Sequence, residues 1–384
     1  MVQREGHALV SKETWMAVHL PKFTVGIEEE YQIIDPETRE LSSYIQEILE
    51  DGGYILKDQI KPEFMQSQVE VGSRICHDMK EARQELARLR GTICELADKK
   101  NLRVAAASTH PFSQWADQQI TVADRYAKHE EALEHVARRL LIFGMHVHVG
   151  IDDKELMMDV MNQARYFLPH LLSLSTSSPF WQGVDTGLKS YRSIVFENMP
   201  RTGLPPVFGS WSEYENFIAT IIRTGAIEEP TQIWWDIRPH PVFPTLEFRQ
   251  SDICTTIDEA ICVASLVVAI VAKLIKLRLE NMSWRAYRQH LIEENKWRAV
   301  RWGLDGTLID FGTQESVPTR DLLEELLIFV DDVLDELDVR EEVEYVRTII
   351  KQGTSADRQL AVYRETGDLK AVVDQLVLET RRGV

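Results

Sequence analysis

Four short segments of the chain carry acidic or imidazole side chains at alternate positions, where a half-buried strand ordinarily places neutral polar groups. The segments are residues 26–31, 66–71, 146–149 and 246–249. Alternate side chains of an extended strand share one face. The polar faces therefore carry Glu28 and Glu30; Gln66, Gln68 and Glu70; His146 and His148; and Glu247 and Arg249. Any one segment could be an amphipathic strand with a solvated face, but four together form a poor solvent surface and indicate a binding site.

Carboxylates, imidazoles and one arginine on a single sheet face would suit divalent cations and phosphates. Magnesium takes hard oxygen ligands, and proteins hold it with a few carboxylates together with substrate phosphates. An arginine beside the acids, such as Arg249, would offset their mutual repulsion and contact a transferring phosphoryl group. The sequence contains no GxxxxGK[ST] loop and no GxGxxG turn. Metal ions bridged by carboxylates would therefore have to hold the phosphates of a nucleotide.

The segments around these groups alternate between strand and helix patterns. Strand patterns cover residues 23–34, 66–71, 103–108, 143–150, 233–238 and 245–252, and helical periodicity covers residues 78–100, 126–141, 152–173 and 210–223. After Thr255 the pattern is almost entirely helical. The Pro/Gly-rich residues 178–209 are predicted to be irregular and are a candidate lid over the site.

Composition indicates a globular protein: 384 residues, 44% hydrophobic and 27% charged. The net charge of −18 without a basic stripe argues against nucleic acid or an anionic membrane surface as a partner. Four cysteines without a CxxC pair, and no apparent signal peptide, indicate reduced thiols in a cytoplasmic protein. The most apolar run, residues 260–272, is too short to span a bilayer and is predicted to be a buried core helix.

Further motifs accompany the four strands. They are Thr109-His110-Pro111-Phe112, Arg125-Tyr126, Pro200-Arg201, residues 144–150 and residues 235–239. Together with Glu28-Glu29-Glu30 and Gln68-Val69-Glu70, their order and spacing resemble the type 2 glutamate–cysteine ligase family, the YbdK-like carboxylate–amine ligases of the glutamine-synthetase-like superfamily. The resemblance runs from about residue 22 to about residue 375.

The resemblance implies a role for each matching residue. The implied ligands of two or three Mg²⁺ ions, with Mn²⁺ as an alternative, are Glu28, Glu30, Glu63, Glu70, His146 and Glu247. The chain must bend between Glu63 and Glu70, because an unbroken strand would point them to opposite faces. Arg249 and Arg238 would be catalytic, with Arg249 beside the transferred phosphate. The residues implied to contact ATP or substrate are Arg192, Arg201, Thr109, His110, Tyr126 and His148. Of these, His148 is expected to lie behind the metal ligands.

The resemblance also implies an α+β fold. The expected sheet is curved and mainly antiparallel, of the glutamine synthetase and glutamate–cysteine ligase type, with the site on its concave face, helices on its convex side and a helical part from about residue 256. The expected divisions are an N-terminal extension (1–21), one catalytic domain (22–375) and a C-terminal tail (376–384). Similar enzymes form homo-oligomers, and the sequence does not fix the number of subunits.

The implied reaction uses ATP and magnesium to join a carboxylate to an amine through an acyl phosphate, with L-glutamate and L-cysteine as the expected substrates. Two other classes compete. A metal-dependent hydrolase could use the His146 and His148 strand, and a non-catalytic nucleotide or amino-acid sensor could share the ligase fold. Arg201 and Arg238 could also be structural ion-pair partners, and His110 could stabilise a turn.

Overall fold

The structure is a computed structural model of the chain, and it describes residues 20–384. The predicted N-terminal extension lies almost wholly outside these residues. The strands are β1 (Val25–Ile34), β2 (Ile60–Pro62), β3 (Gln68–Gly72), β4 (Arg103–Ala105), β5 (Met145–Gly150), β6 (Phe180–Trp181), β7 (Val184–Asp185), β8 (Thr202–Gly203), β9 (Trp234–Trp235), β10 (Ile237–Pro239), β11 (Thr245–Phe248), β12 (Thr307–Asp310) and β13 (Glu315–Pro318).

The helices of the described residues range from 4 to 23 residues in length. They are α1 (Ile45–Leu56), α2 (Met79–Lys99), α3 (Asp124–Leu133), α4 (His135–Arg138), α5 (Lys154–Ala164), α6 (Leu168–Ser175), α7 (Tyr191–Phe196), α8 (Trp211–Arg223), α9 (Ile257–Leu279), α10 (Gln289–Trp302), α11 (Thr319–Leu337), α12 (Arg340–Glu344), α13 (Val346–Gln352), α14 (Ser355–Thr366) and α15 (Leu369–Thr380).

The main sheet of residues 20–384 has seven strands in the order β10-β11-β5-β1-β3-β2, and β4 also pairs with β1. Each of its strand pairs is antiparallel. The long strand β1 is central, because its first part pairs with β5 and its last three residues pair with β4 along the same edge. The α+β class and the antiparallel sheet predicted from the sequence are confirmed.

The predicted core helix is confirmed as α9. A capping box starts it, in which Thr256 and Glu259 each satisfy the backbone N–H of the other. By length and composition α9 could cross a membrane, but 83% of its most apolar stretch is buried inside the protein. The helix contacts α2, α5, α6, α11 and α12, so its hydrophobic surface is used by the core.

Several predicted boundaries are wrong. The helix predicted over residues 126–141 is divided into α3 and α4 at Glu134, whose φ of 48° cannot continue a right-handed helix. The helix predicted over residues 152–173 is interrupted by a 3-10 turn at Arg165–Phe167, where Pro169 starts α6. The block predicted to be almost entirely helical contains the β12–β13 hairpin.

The C-terminal tail expected to begin at residue 376 is in part packed against the rest of the protein. Leu376 is 1% exposed, and α15 continues to Thr380. The Thr380 hydroxyl accepts a hydrogen bond of 2.8 Å from the backbone N–H of Ala106, beside β4. Residues 376–380 are therefore part of the domain and not of a tail.

The three consecutive glutamates of β1 point to opposite faces of the sheet. Glu29 is fully buried on the helical side, where its carboxylate pairs with Arg90 of α2 at 2.6 Å. The Tyr31 hydroxyl also donates to Glu29. The Arg90 guanidinium donates in addition to the carbonyl oxygens of Thr255 and Cys254, just before α9. This buried pair ties the central strand to two of the helices behind it.

We expect Glu29→Gln to lower the free energy of unfolding by about 3–5 kcal/mol, because removing one partner of a buried ion pair leaves the other charge uncompensated. The control is Lys80→Ala, which removes an exposed pair with Asp338 and should cost less than about 1 kcal/mol. Urea denaturation followed by circular dichroism measures both. Equal midpoints for the two variants would contradict the assigned role of Glu29.

Candidate active site

The registers of the sheet place the predicted residues opposite one another on one face. The cross-strand partners are Glu28 with His146, Glu30 with Glu70, and Glu247 with both His148 and Arg238. Directly opposed residues have Cβ atoms about 5 Å apart. Five strands that are far apart in the sequence therefore contribute one continuous row of charged and imidazole groups.

One end of the row is a group of carboxylates and imidazoles, here called the ligand cluster: Glu28, His146, His148 and Glu247. Glu28 Oε2 lies 3.1 Å from His146 Nδ1 and 3.6 Å from His148 Nε2. Glu247 Oε1 lies 3.9 Å from His146 Nδ1. Atoms of Glu28, His148 and Glu247 that could bind a metal all lie within 4.8 Å of one another.

His148 lies closer to the cluster than the sequence predicted. Its Nδ1 is 3.2 Å from the Thr245 hydroxyl, which orients the ring. Its Nε2 is buried and has no hydrogen-bond partner within residues 20–384. A buried nitrogen without a partner is costly unless a ligand satisfies it, so the donor set fits a divalent ion, and His148 lies beside Glu28 and Glu247 and not behind them.

The other end of the row is a second acidic group formed by Glu30, Glu63 and Glu70. The predicted bend exists, because β2 and β3 are antiparallel and Glu63 lies in the turn between them. All three glutamates line the same cavity. Lys61 of β2 pairs with Glu70 at 3.1 Å, which offsets part of the repulsion among these acids.

Three arginines approach the row. Their existing hydrogen bonds leave their guanidinium groups with different capacities to bind a further anion. Arg249 contacts both Glu247 and His146, and its Nε has no partner in the described part of the chain. Arg238 is bound to Glu247 at 2.7 Å and to the carbonyl oxygens of Thr231 and Ile233. Because these contacts occupy the Arg238 guanidinium, it is placed to hold Glu247, whereas Arg249 can accept a further anionic partner.

Arg192 reaches the site because residue 144 is a glycine. A Cβ at Gly144 would lie 2.6 Å from Arg192 Nη2, closer than real Cβ contacts allow. The Gly144 N–H also donates to Glu30 Oε2 at 2.7 Å. Arg192 donates to the carbonyl oxygen of Arg249 at 3.2 Å, so it supports the backbone that carries that guanidinium.

The segment predicted to be an irregular lid is instead anchored. It contains α7, which carries Arg192, and three short strands. The buried Asp252 carboxylate accepts hydrogen bonds from the Ser177 N–H and from the hydroxyls of Ser178 and Ser190. Movement of this segment would require these buried hydrogen bonds to break, so its packing argues against a freely hinged lid.

The electrostatics favour the protonation states of a metal site. Burial raises the pKa of Glu28, but the neighbouring imidazoles of His146 and His148 outweigh burial and hold that pKa well below its usual value. Burial likewise opposes ionisation of Glu247, but the charges of Arg249 and Arg238 lower its pKa. Burial, reinforced by Arg249, lowers the pKa of His146 to about 4. At neutral pH the cluster therefore presents carboxylates and a neutral imidazole, which are the forms that bind metals.

The second acidic group differs in charge state. Burial raises the pKa of Glu30 to about 7, with the charge of Glu70 adding to the effect and that of Arg192 opposing it. A carboxylate held in this way gains stability from a nearby cation. The Glu30 position is thus suited to a positively charged ligand.

The row faces a cavity of about 350 Å³, here called the main cavity. Ten of the predicted site residues line it: Glu28, Glu30, Glu63, Glu70, Tyr126, His146, Arg192, Arg238, Glu247 and Arg249. His148 lies beside a smaller, mainly apolar pocket of about 180 Å³, here called the side pocket, which shares Glu28 with the main cavity.

Three predicted contacts, Thr109, His110 and Arg201, line neither the main cavity nor the side pocket. Thr109 donates to the Phe180 carbonyl oxygen at 2.7 Å. His110 bonds to the carbonyl oxygen of Arg39 and accepts the backbone N–H groups of Phe112 and Ser113, so it stabilises a turn. Arg201 donates to the Gln232 carbonyl oxygen, and its guanidinium lies over the Trp234 ring. Local hydrogen bonding therefore uses these polar groups within the protein.

The sequence pattern missed several lining residues. Lys61 alternates with Glu63 and could have been found by the same spacing argument as the other strands. His240 follows β10 and packs against His148, with ring centroids 5.4 Å apart. The apolar lining includes Leu133 and Leu140, which come from a segment whose helical pattern resembles any other amphipathic helix.

Comparison with known proteins identifies the family. The model of glutamate–cysteine ligase family 2 matches residues 24–375. A protein of Herpetosiphon aurantiacus named "Putative glutamate--cysteine ligase 2" is 57% identical over 366 residues, covering 95% of each chain. A protein of the same name from Solibacter usitatus is 52% identical over 365 residues, also covering 95% of each chain.

Solved structures share the fold at low sequence identity. The glutamate–cysteine ligase of Francisella tularensis, in complex with AMP, has a TM-score of 0.70 and 14% identity, covering 94% of this chain and 89% of its own. The bifunctional glutathione synthetase of Pasteurella multocida has a TM-score of 0.65 and 15% identity, covering 94% of this chain and 52% of its own. With the carboxylate and imidazole row in place and the family model matched from residue 24 to residue 375, the chain belongs to glutamate–cysteine ligase family 2 and is a ligase of the carboxylate–amine type.

Proposed function

We propose that this protein uses ATP and Mg²⁺ to join the side-chain carboxylate of L-glutamate to the amine of L-cysteine or a related compound, through an acyl phosphate. The observation that carries the proposal is the ligand cluster, in which two ionised carboxylates and a neutral imidazole lie beside Arg249 on one wall of a cavity. A carboxylate alone is a poor acyl donor, because oxide would have to leave. Phosphorylation supplies a good leaving group, after which an amine can attack.

Two groups of residues would hold metal ions. The ligand cluster would bind one ion, and Glu30, Glu63 and Glu70 would bind another, with Mn²⁺ able to replace Mg²⁺ where imidazole is a ligand. Ions bound there would neutralise phosphate oxygens and orient the in-line transfer. Arg238 keeps Glu247 in position, and Arg249, whose Nε has no partner among residues 20–384, would stabilise the charge that develops on the phosphoryl group.

The side pocket is suited to the adenine of ATP. It is lined mainly by apolar groups, among them Val25, Ile75 and Phe243, and it borders Glu28 and His148. Adenine bound there would place its phosphates over the ligand cluster. The acyl donor and the amine would then occupy the main cavity, on the other side of Glu28.

The hydrolase and sensor alternatives are not favoured. The last strand of the row carries Glu247 and Arg249 and no further histidine, unlike the histidine-rich sites of zinc hydrolases. Arg249 and Arg238 both pair with Glu247 beside the other groups of the ligand cluster, an arrangement suited to phosphoryl transfer, whereas a sensor has no need of a phosphoryl-transfer site. A hydrolase would need no ATP, and a sensor would bind ATP without turnover, so turnover measurements separate the three classes.

We expect the purified protein to release phosphate from ATP in the presence of Mg²⁺, L-glutamate and an amine, with the amide product confirmed by mass. Glu28→Gln and Arg249→Ala should each lower kcat by about 100-fold or more, because each removes charge stabilisation of the transferring group. The control is Glu365→Gln, an exposed acid on α14, which should retain wild-type turnover.

Absence of phosphate release with L-glutamate and every amine of a broad panel would contradict the proposed substrate pair. Calorimetry of ATP binding with and without Mg²⁺ then shows which part is wrong. Tight Mg²⁺-dependent binding would point to another acyl donor, whereas no binding would overturn the ligase site itself.

A second prediction concerns Glu30 in protein stripped of metal with EDTA. Its folded-state pKa of about 7 exceeds the ordinary value of 4.5, so ionisation destabilises the fold as the pH rises from about 5 to 7. One pKa unit corresponds to about 1.4 kcal/mol. Glu30→Gln should therefore stabilise the metal-free protein by about 1–3 kcal/mol at pH 8, and by much less at pH 5.

Thermal unfolding at the two pH values, with Glu365→Gln as the control, measures this effect. Magnesium should raise the Tm of the wild-type protein at pH 8 by mass action on the folded state, and should raise that of Glu30→Gln much less. A variant that is equally destabilised at both pH values would contradict the metal-binding role of Glu30.

A further inference from the structure

We propose that the amine substrate carries an apolar side chain of about the size of leucine or methionine, bound against an apolar wall of the main cavity. This wall consists of Phe64, Tyr126, Leu133, Ala137, Leu140 and Ile142. The inference rests on the proposed function and deepens it, because it narrows the class of the acceptor that the enzyme uses.

The position of the wall relative to β1 indicates which of the substrates would contact it. The side pocket lies at the first residues of β1, from Val25 to Ile27, and Glu28 borders both pockets. Glu30, further along the strand, lines only the main cavity of the two. Ile142 of the wall lies two residues before Gly144, which is hydrogen-bonded to Glu30. The wall is therefore beyond the acidic row when viewed from the side pocket.

The spatial order of side pocket, acidic row and wall matches the order of nucleotide, acyl group and amine that the reaction requires. With adenine in the side pocket, the phosphoryl group lies over the ligand cluster and the acyl carbon lies beyond it. Phosphate leaves towards the nucleotide, so the amine must approach the acyl carbon from the remaining part of the main cavity. The amine is thus the reactant next to the apolar wall.

The charges of the cavity lead to the same assignment. L-glutamate carries an α-ammonium and an α-carboxylate, and burying such groups against hydrocarbon is costly without charged partners. The same cavity is lined by the charged groups Lys61, Arg192 and Glu229. These side chains could pair with the α-carboxylate and the α-ammonium of L-glutamate. The hydrocarbon surface of the wall is then left for the side chain of the amine.

Phe64, Tyr126, Ala137 and Ile142 of the wall are buried, so Leu133 and Leu140 supply most of its accessible hydrocarbon. The rings of Phe64 and Tyr126 pack edge to face, with centroids 5.7 Å apart. The Tyr126 hydroxyl donates to the Pro62 carbonyl oxygen at 2.7 Å, and the Gln68 side chain donates to the Ile142 carbonyl oxygen at 2.6 Å. Leu133 and Leu140 are only partly buried, so their methyl groups remain accessible to a ligand.

The test compares amines of different polarity with the full-length protein, ATP, Mg²⁺ and L-glutamate. We expect kcat/KM for L-leucine and L-methionine to exceed that for L-serine by about 10- to 100-fold, the range that small changes of apolar contact produce, and to exceed that for L-cysteine. Higher kcat/KM for L-cysteine or L-serine than for both apolar amino acids would overturn the inference.

Hydroxylamine as the amine substrate distinguishes failure of the predicted apolar preference from failure of the proposed function. Its nitrogen attacks the acyl carbon and forms a C–N bond, the C–O bond to phosphate breaks, and the nitrogen loses a proton to water, so that phosphate and glutamyl hydroxamate result. Hydroxylamine has no side chain, so the wall is not needed for this reaction. Hydroxamate formation without a preference for apolar amines would overturn the inference alone, whereas no ATP-dependent hydroxamate would overturn the proposed function and the inference with it.

Variants of the wall supply a measurement that does not depend on the fraction of folded protein. Leu140→Asn keeps the approximate size of the side chain but makes it polar, and it should lower the ratio of kcat/KM for L-leucine to that for L-serine by about 10-fold. Leu133→Asn should act in the same direction. The control is Leu378→Asn, at an exposed leucine of α15, which should keep the wild-type ratio. An unchanged ratio in both wall variants would contradict the assignment.

Discussion

The structure depends on the alternation of side chains along β1 and on the register that fixes its neighbours. A shift by one residue would turn Glu28 and Glu30 towards the helices and leave Glu29 in the cavity. The buried pair between Glu29 and Arg90 opposes such a shift, because Arg90 is also bound to the carbonyl oxygens before α9. One ion pair on the helical face therefore helps to hold the cavity face in place.

The two faces use buried charge in opposite ways. On the helical face, Glu29 has its partners within the protein, and the pair contributes to the architecture. On the cavity face, the acids exceed the arginines that touch them, and burial together with the charge of Glu70 raises the pKa of Glu30. An excess of this kind costs stability when the site is empty, and binding of cations offsets the cost. The same strand thus carries Glu29, whose charge is paired within the protein, and Glu30, whose charge is not fully compensated. Only Glu30 is suited to ligand binding.

Arg238, Arg249 and Arg192 show how position decides the function of one residue type. Arg238 holds Glu247 and two carbonyl oxygens and has little capacity left for substrate. Arg249 touches the same carboxylate but keeps an unpartnered Nε within the described residues. Arg192 passes over Gly144 to support the backbone at Arg249. The sequence could not rank these residues, because the ranking depends on which carbonyl oxygens lie nearby.

The sequence by itself determined the alternating faces of the site strands, with the carboxylates and imidazoles that they carry, and the core helix α9, because these follow from a period of two or from unbroken hydrophobicity. It could not determine the break at Glu134, the anchoring of residues 178–209 by Asp252, or the internal hydrogen bonds that remove Thr109 and His110 from the cavity. Nor could it place His148 within reach of Glu28, or bring Leu133 and Leu140 to face the acids. Apart from the local break at Glu134, these features join residues far apart in the sequence, so only the registers of the sheet and the packing of the helices against it decided them.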